Sequence, residues 1–125
     1  MLKDKTSSAI VAVSDFDRSV QFYGETLGLE RTSTDEEDVA VFKTGPTLLA
    51  VYQSDEVRPA TGNAVGWAGG NDVETIADEL RGKGVAFEEY PEMGMEIVDG
   101  VHKGDGFAGI WFKDPDGNIL HVNSM

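Results

Sequence analysis

Two imidazoles and two indoles are the side chains of this 125-residue chain with the most to offer chemically: His102, His121, Trp67 and Trp111. His121 stands in "KDPDGNILHVNSM", where Asp114-Pro115-Asp116-Gly117-Asn118 spells a turn and residues 118–123 a strand. An imidazole there can ligate a divalent metal, move a proton near neutral pH, or sit buried and hydrogen-bonded without chemistry. His102 lies in the glycine-rich stretch "DGVHKGDG", flanked by Asp99 and Asp105. With no cysteine present, disulfides and thiolate metal sites are excluded.

The elements that must position these groups follow from the hydrophobic period. "SAIVAVS" (8–14) reads as a strand, and "DFDRSVQFYGETLG" as a helix burying Phe16, Val20, Tyr23 and Leu27, with Asp15 as N-cap and Gly28 at its end. Strands are expected at 29–34, 38–44 and 47–53, with the acidic "TDEED" (34–38) as a solvated turn. After a polar linker (54–63) the order repeats. A strand at 64–70 precedes a helix that buries Val73, Ile76 and Leu80, with Asn71 and Glu74 spaced as a capping box. Strands then follow at 85–90, 95–98, 106–113 and 118–123, and the glycines and proline of 91–105 suggest a mobile segment. The expected fold is α+β, two tandem βαβββ modules at about 7–53 and 64–125 in one domain.

Composition narrows the function. The formal charge is −13, from 23 acidic and 10 basic side chains, so no basic stripe exists for nucleic acid. A field of this sign suits neutral or cationic partners. No apolar run approaches the roughly 20 residues of a membrane helix, and "MLKDKTSSAIVAV" does not read as a signal peptide, so a cytoplasmic location is expected.

The segments "AVSDFDRSVQFYGETLGL", "DVETIADELRGKGV" and "FKDPDGNILHV" together resemble the vicinal oxygen chelate superfamily, which includes glyoxalase I, extradiol dioxygenases and bleomycin-resistance proteins. The likeness spans nearly the whole chain. It implies curved mixed sheets with a concave cleft and assembly as a homodimer. Metal-using members draw ligands from four positions, which here are Ser8, Ala50, Val65 and His121. Alanine and valine have no donor atom and neutral serine is a poor one, leaving a single imidazole where a catalytic metal wants three protein ligands. No metal and no cofactor are therefore expected. The ending "DPDGNILHV" is similar to that of the metal-free bleomycin-resistance branch, although the "PWG" turn usual there is replaced by "VHKGDGFAG".

Strand alternation assigns the faces. With Ser8 toward the cleft, Ile10 and Ala12 follow it, Ala50 brings Leu48 and Tyr52, Val65 brings Trp67, and His121 brings Ile119 and Asn123. A three-residue loop, Pro115 to Gly117, sets Trp111 opposite His121. Trp67, Trp111, His121, Tyr52, Leu48 and Ile119 thus form the expected ligand-binding set, apolar walls with sparse polar anchors. Each has a plain alternative: the indoles as core or interface, Tyr52 as a strand surface residue, His121 as a hydrogen-bonded relic. The resulting expectation is a metal-independent protein that sequesters a hydrophobic or aromatic small molecule, a cationic one or an antibiotic included. The alternatives are a lyase or isomerase using His121 as acid or base, and a ligand-free interaction module.

Overall fold

The computed structural model describes every residue except Ser33 and Asp35, so the strand end and acidic turn expected around 33–35 lie partly outside the described residues. The chain divides into two compact units, Met1–Arg58 and Pro59–Met125.

In the first unit the strands are β1 (Ala9–Val13), β2 (Glu30–Thr32), β3 (Val39–Thr44) and β4 (Thr47–Gln53), in sheet order β1-β4-β3-β2. β1 runs parallel to β4 and the other pairs are antiparallel. The helix α1 (Phe16–Gln21) makes the parallel crossover possible. Asp15 caps it, its Oδ1 accepting from the Arg18 N–H at 3.2 Å, and Gln53 Oε1 accepts from the Phe16 N–H at 2.9 Å. α1 is shorter than the sequence suggests. At Phe22–Thr26 the chain widens into one π turn, closed by the Leu27 N–H on the Phe22 carbonyl at 2.9 Å.

Period-two alternation sorts the sheet of this unit. Val11, Val13, Ala40, Phe42, Leu49 and Val51 are buried with Tyr23 of the helical segment. Ile10, Ala12, Leu48, Ala50 and Tyr52 share the other face, where Ile10 is 70% exposed. Fully burying each of the larger apolar side chains contributes about 1.5–3 kcal/mol, so the first face holds the unit together.

The second unit contains β5 (Asn63–Ala68), α2 (Val73–Gly82), β6 (Glu96–Val98), β7 (Val101–Gly104), β8 (Phe107–Lys113) and β9 (Ile119–Asn123), with sheet order β5-β9-β8-β7-β6. As in the first unit, the first strand lies parallel to the last. Ile110, Phe112, Leu120 and Val122 form its buried layer with Val73, Ala77 and Leu80 of α2. The close fit at the start of α2 needs a glycine, since a Cβ on Gly69 would lie 2.9 Å from Val122 Cγ1.

Three local expectations are corrected. α2 starts from a 3-10 turn at Gly70–Asp72, and Asp72 precedes it with no side-chain cap, so Asn71 and Glu74 form no capping box. The strand expected at 85–90 is reduced to a bridge between Phe87 and Phe112. The stretch 91–105 is built, not slack: a 3-10 turn at Pro91–Met93 leads into the β6–β7 hairpin. Its tip is Asp99-Gly100, with φ of 51° and 82°, and the next hairpin turns on Asp105-Gly106, with φ of 49° and 81°. Asp-Gly pairs supply the two positive φ values that a tight hairpin demands.

The last turn holds as its composition dictates. Asp114 is buried, its Oδ1 accepting from the N–H groups of Asp116 and Asn118 at 2.9 Å and its Oδ2 from Asn118 Nδ2 at 2.8 Å. These bonds close the loop and fix Lys113 opposite Ile119, hence Trp111 opposite His121.

Candidate aromatic binding face

On the sheet face of the second unit turned from Ile110 and Leu120, alternation and register bring Phe107, Gly109 and Trp111 of β8 beside Ile119, His121 and Asn123 of β9 and His102 of β7. The Trp111 and His121 rings stack, with centroids 4.2 Å apart and planes 19° from parallel. Phe107 lies beside both, 6.5 Å from His121 and 6.4 Å from Trp111. It can do so only because Gly109 leaves the strand bare there; a Cβ would fall 2.7 Å from the Phe107 ring and 3.2 Å from His121 Cε1. Tyr90, from the loop before β6, meets Trp111 edge-on at 5.6 Å. Trp111 and His121 are 7% and 8% exposed and form the floor, whereas Phe107 and Tyr90 are half-buried and form the rim.

The hydrogen bonds of His121 fix its state. Nδ1 lies 2.9 Å from the Ile110 carbonyl, which can only accept, so Nδ1 carries the proton. Nε2 then accepts from Asn123 Nδ2 at 3.2 Å. The orientation of that amide is set in turn by the Met125 N–H donating to Asn123 Oδ1 at 3.0 Å. Burial pushes the His121 imidazole below its usual range; the Ile110 bond opposes this and the His102 ring adds to it. Its resting form is a neutral imidazole.

His102 is fully buried and edge-on to Trp111 at 4.9 Å. Its Nε2 accepts from the Tyr90 backbone N–H at 2.9 Å, which leaves the proton on Nδ1, an atom with no partner among the described residues. An unmatched buried donor costs about 1–3 kcal/mol. The Tyr90 hydroxyl has its acidity lowered, first by burial and then by the Glu88 carboxylate, so it stays a phenol.

The expected ligand-binding set is divided between the two units. Trp111, His121 and Ile119 share one face of the second unit. Trp67 does not join them. The β5–β9 register shifts between Asn63 and Val65, so Gly66 and Ala68 pair with His121 and Asn123, and Trp67 pairs with Val122 on the α2 side. Val65 turns to that side as well. Leu48 and Tyr52 lie with Ala50 on the outward sheet face of the first unit. His102, Tyr90, Phe107 and Gly109 are site members that the sequence reading did not assign. The Asp99-Gly100 hairpin signal would have placed His102 on a strand, paired with Gly109 and facing Trp111.

A metal does not fit the four positions. Ser8 precedes β1 and is exposed, Ala50 and Val65 carry no donor, and the β5 residue that does pair with His121 is Gly66. Both nitrogens of His121 are engaged by the protein itself. Among the described residues, no three histidine, aspartate or glutamate side chains converge as a cation site.

Residues 6–122 match the model of the Glyoxalase/Bleomycin resistance protein/Dioxygenase superfamily. The chain belongs to this superfamily. Among curated relatives, it is 27% identical to the protein YraH of Bacillus subtilis, over 90% of this chain and 92% of that one. It is 24% identical to the virulence protein STM3117 of Salmonella typhimurium, over 98% and 85%. Among solved structures, a glyoxalase/dioxygenase from Nostoc punctiforme aligns with a TM-score of 0.72 at 21% identity, covering 98% of this chain and 90% of that one. Lactoylglutathione lyase from Agrobacterium tumefaciens aligns at 0.71 and 18%, covering 96% and 92%. These structural likenesses establish the shared superfamily fold. No helix among the described residues is long and apolar enough to cross a membrane.

Proposed function

We propose that this member of the superfamily binds a planar, largely apolar small molecule on the aromatic face of its second unit, without a metal. The observation that carries the reading is the Trp111–His121 stack. The indole and a neutral imidazole stack face to face across the two strands, and both nitrogens of the imidazole are already matched. A ligand gains dispersion and ring contact there while losing little hydration. Phe107 and Tyr90, the half-buried rings, are the surface it meets first and the side chains that give way.

Sequestration of an antibiotic is one form this binding takes, and the net charge of −13 favours neutral or cationic guests over anions. A homodimer accompanies the proposal, supported by the exposed apolar face of Ile10, Leu48 and Tyr52. Sedimentation of the purified protein checks that part.

The binding reading is tested by calorimetric titration of chelator-treated protein with fluorene, fluorenone and proflavine. Saturable one-to-one binding, weakened about tenfold or more in Trp111→Ala, supports it. Absence of binding to all three, or binding indifferent to Trp111, refutes it. Conversion of a bound compound that stops in His121→Ala, with binding retained, would instead favour the lyase or isomerase reading.

A further inference from the structure

We infer that the Nδ1–H of His102 is the hydrogen-bond donor for an acceptor on the bound molecule, so that this face selects neutral planar carbonyl compounds. The inference rests on the proposal that the Trp111–His121 face binds a planar ligand, and it specifies which kind.

The polar atoms around the other imidazole, His121, are matched. His121 gives its proton to the Ile110 carbonyl and takes one from Asn123, whose oxygen takes the Met125 N–H. At His102 the Tyr90 N–H occupies Nε2, which fixes the tautomer and strands the proton at Nδ1. Buried donors are almost always matched, and here the ring neighbours are Trp111 at 4.9 Å and Tyr90 at 5.9 Å, which offer only weak π acceptance.

Access depends on Tyr90. Its ring lies against both His102 and Trp111, and its loop is tied to the sheet by the Glu88 N–H on the Trp111 carbonyl at 2.7 Å and the Phe87–Phe112 bridge. A planar guest that takes the place of the Tyr90 ring lies on Trp111 with its edge toward His102. A carbonyl oxygen on that edge accepts the stranded proton. A protonated ring nitrogen has no lone pair to offer there, and a carboxylate would meet two carboxylates, Glu88 and Glu92, against the single cation Lys113, which already pairs with Glu88 at 3.4 Å. Neutral carbonyls satisfy both conditions.

Fluorene and fluorenone share a ring skeleton and differ by the carbonyl. Followed by tryptophan fluorescence in a Trp67→Phe background, fluorenone is expected to bind at least tenfold more tightly. His102→Phe, which keeps a ring but removes the donor, should erase the difference between the two compounds. In the unaltered protein, the His102 Nδ1–H proton resonance should move downfield with fluorenone and stay put with fluorene, a readout that needs no variant to fold. Equal affinities, a preference that survives His102→Phe, or an Nδ1–H resonance unmoved by fluorenone would overturn the inference while leaving the binding proposal standing. Failure of fluorene, fluorenone and proflavine alike to bind would overturn the two together.

Discussion

Asn123 donates to Nε2 of His121 across 3.2 Å, two residues along the same strand, and so meets the lone pair that the Ile110 carbonyl leaves on that nitrogen. Replacing the amide by a carboxylate would reverse the preference. Asn123→Asp puts a negative acceptor beside Nε2, favouring the imidazolium. A rise in the His121 pKa of about one unit is expected, read from its ring protons by NMR against pH. An unchanged midpoint would mean that Asn123 does not govern the ring.

His121 also ties stability to pH. Its folded-state pKa lies below the unfolded value of about 6.5, because burial disfavours the cation. Above the unfolded pKa both states are neutral and the contribution is whole. As pH falls through about 6.5 towards the folded pKa, the unfolded chain takes up a proton first and stability drops. Urea midpoints measured from pH 8 to 5 should fall more for the unaltered protein than for His121→Gln. Parallel curves would remove His121 from the account.

Gly109 and Phe107 are predicted to be coupled. A methyl at 109 collides with the far end of the Phe107 ring and crowds His121 Cε1. Gly109→Ala should therefore cost about 1–3 kcal/mol and swing Phe107 outward, shifting tryptophan emission to the red. Phe107→Ala in the same chain should recover much of the loss. Additive effects in a double-mutant cycle would show that the two residues act apart.

Asp114 carries the turn that sets the Trp111–His121 register. It is buried and accepts three hydrogen bonds from its own loop. Asp114→Ala leaves those donors unmatched, at about 1–3 kcal/mol for each that stays buried. Chemical denaturation should show a total loss of at least about 2 kcal/mol, with Asp114→Asn milder. A neutral Asp114→Ala would mean that the register is held elsewhere.

That turn shows what was legible in the sequence. Pro115 and Gly117 announce its shape, and counting outward from a three-residue loop gives Trp111 opposite His121, as found. The β4 span Thr47–Gln53 and the face shared by Leu48, Ala50 and Tyr52 were equally open, because apolar residues alternate there without interruption. Trp67 was misplaced since its face depends on the shift between Asn63 and Val65, and a slip of one residue in a strand exchanges its two faces. His102 was hidden for a different reason. Its Asp-Gly flanks were taken as slack when they are hairpin turns, and burial of a histidine against Tyr90 depends on a loop with no periodic signal. The metal positions read as donor-poor from residue types alone, and Gly66 in place of Val65 beside His121 leaves them so.

The most direct test uses the separation of the two indoles. In Trp67→Phe, Trp111 is the only tryptophan left, so its fluorescence reports on the His121 face. Titrated with fluorenone in the presence of a strong chelator, it should quench saturably at one equivalent, with the same affinity after zinc, nickel or manganese is restored. No saturable quenching, or quenching that appears only when a divalent cation is supplied, would contradict a metal-free aromatic site.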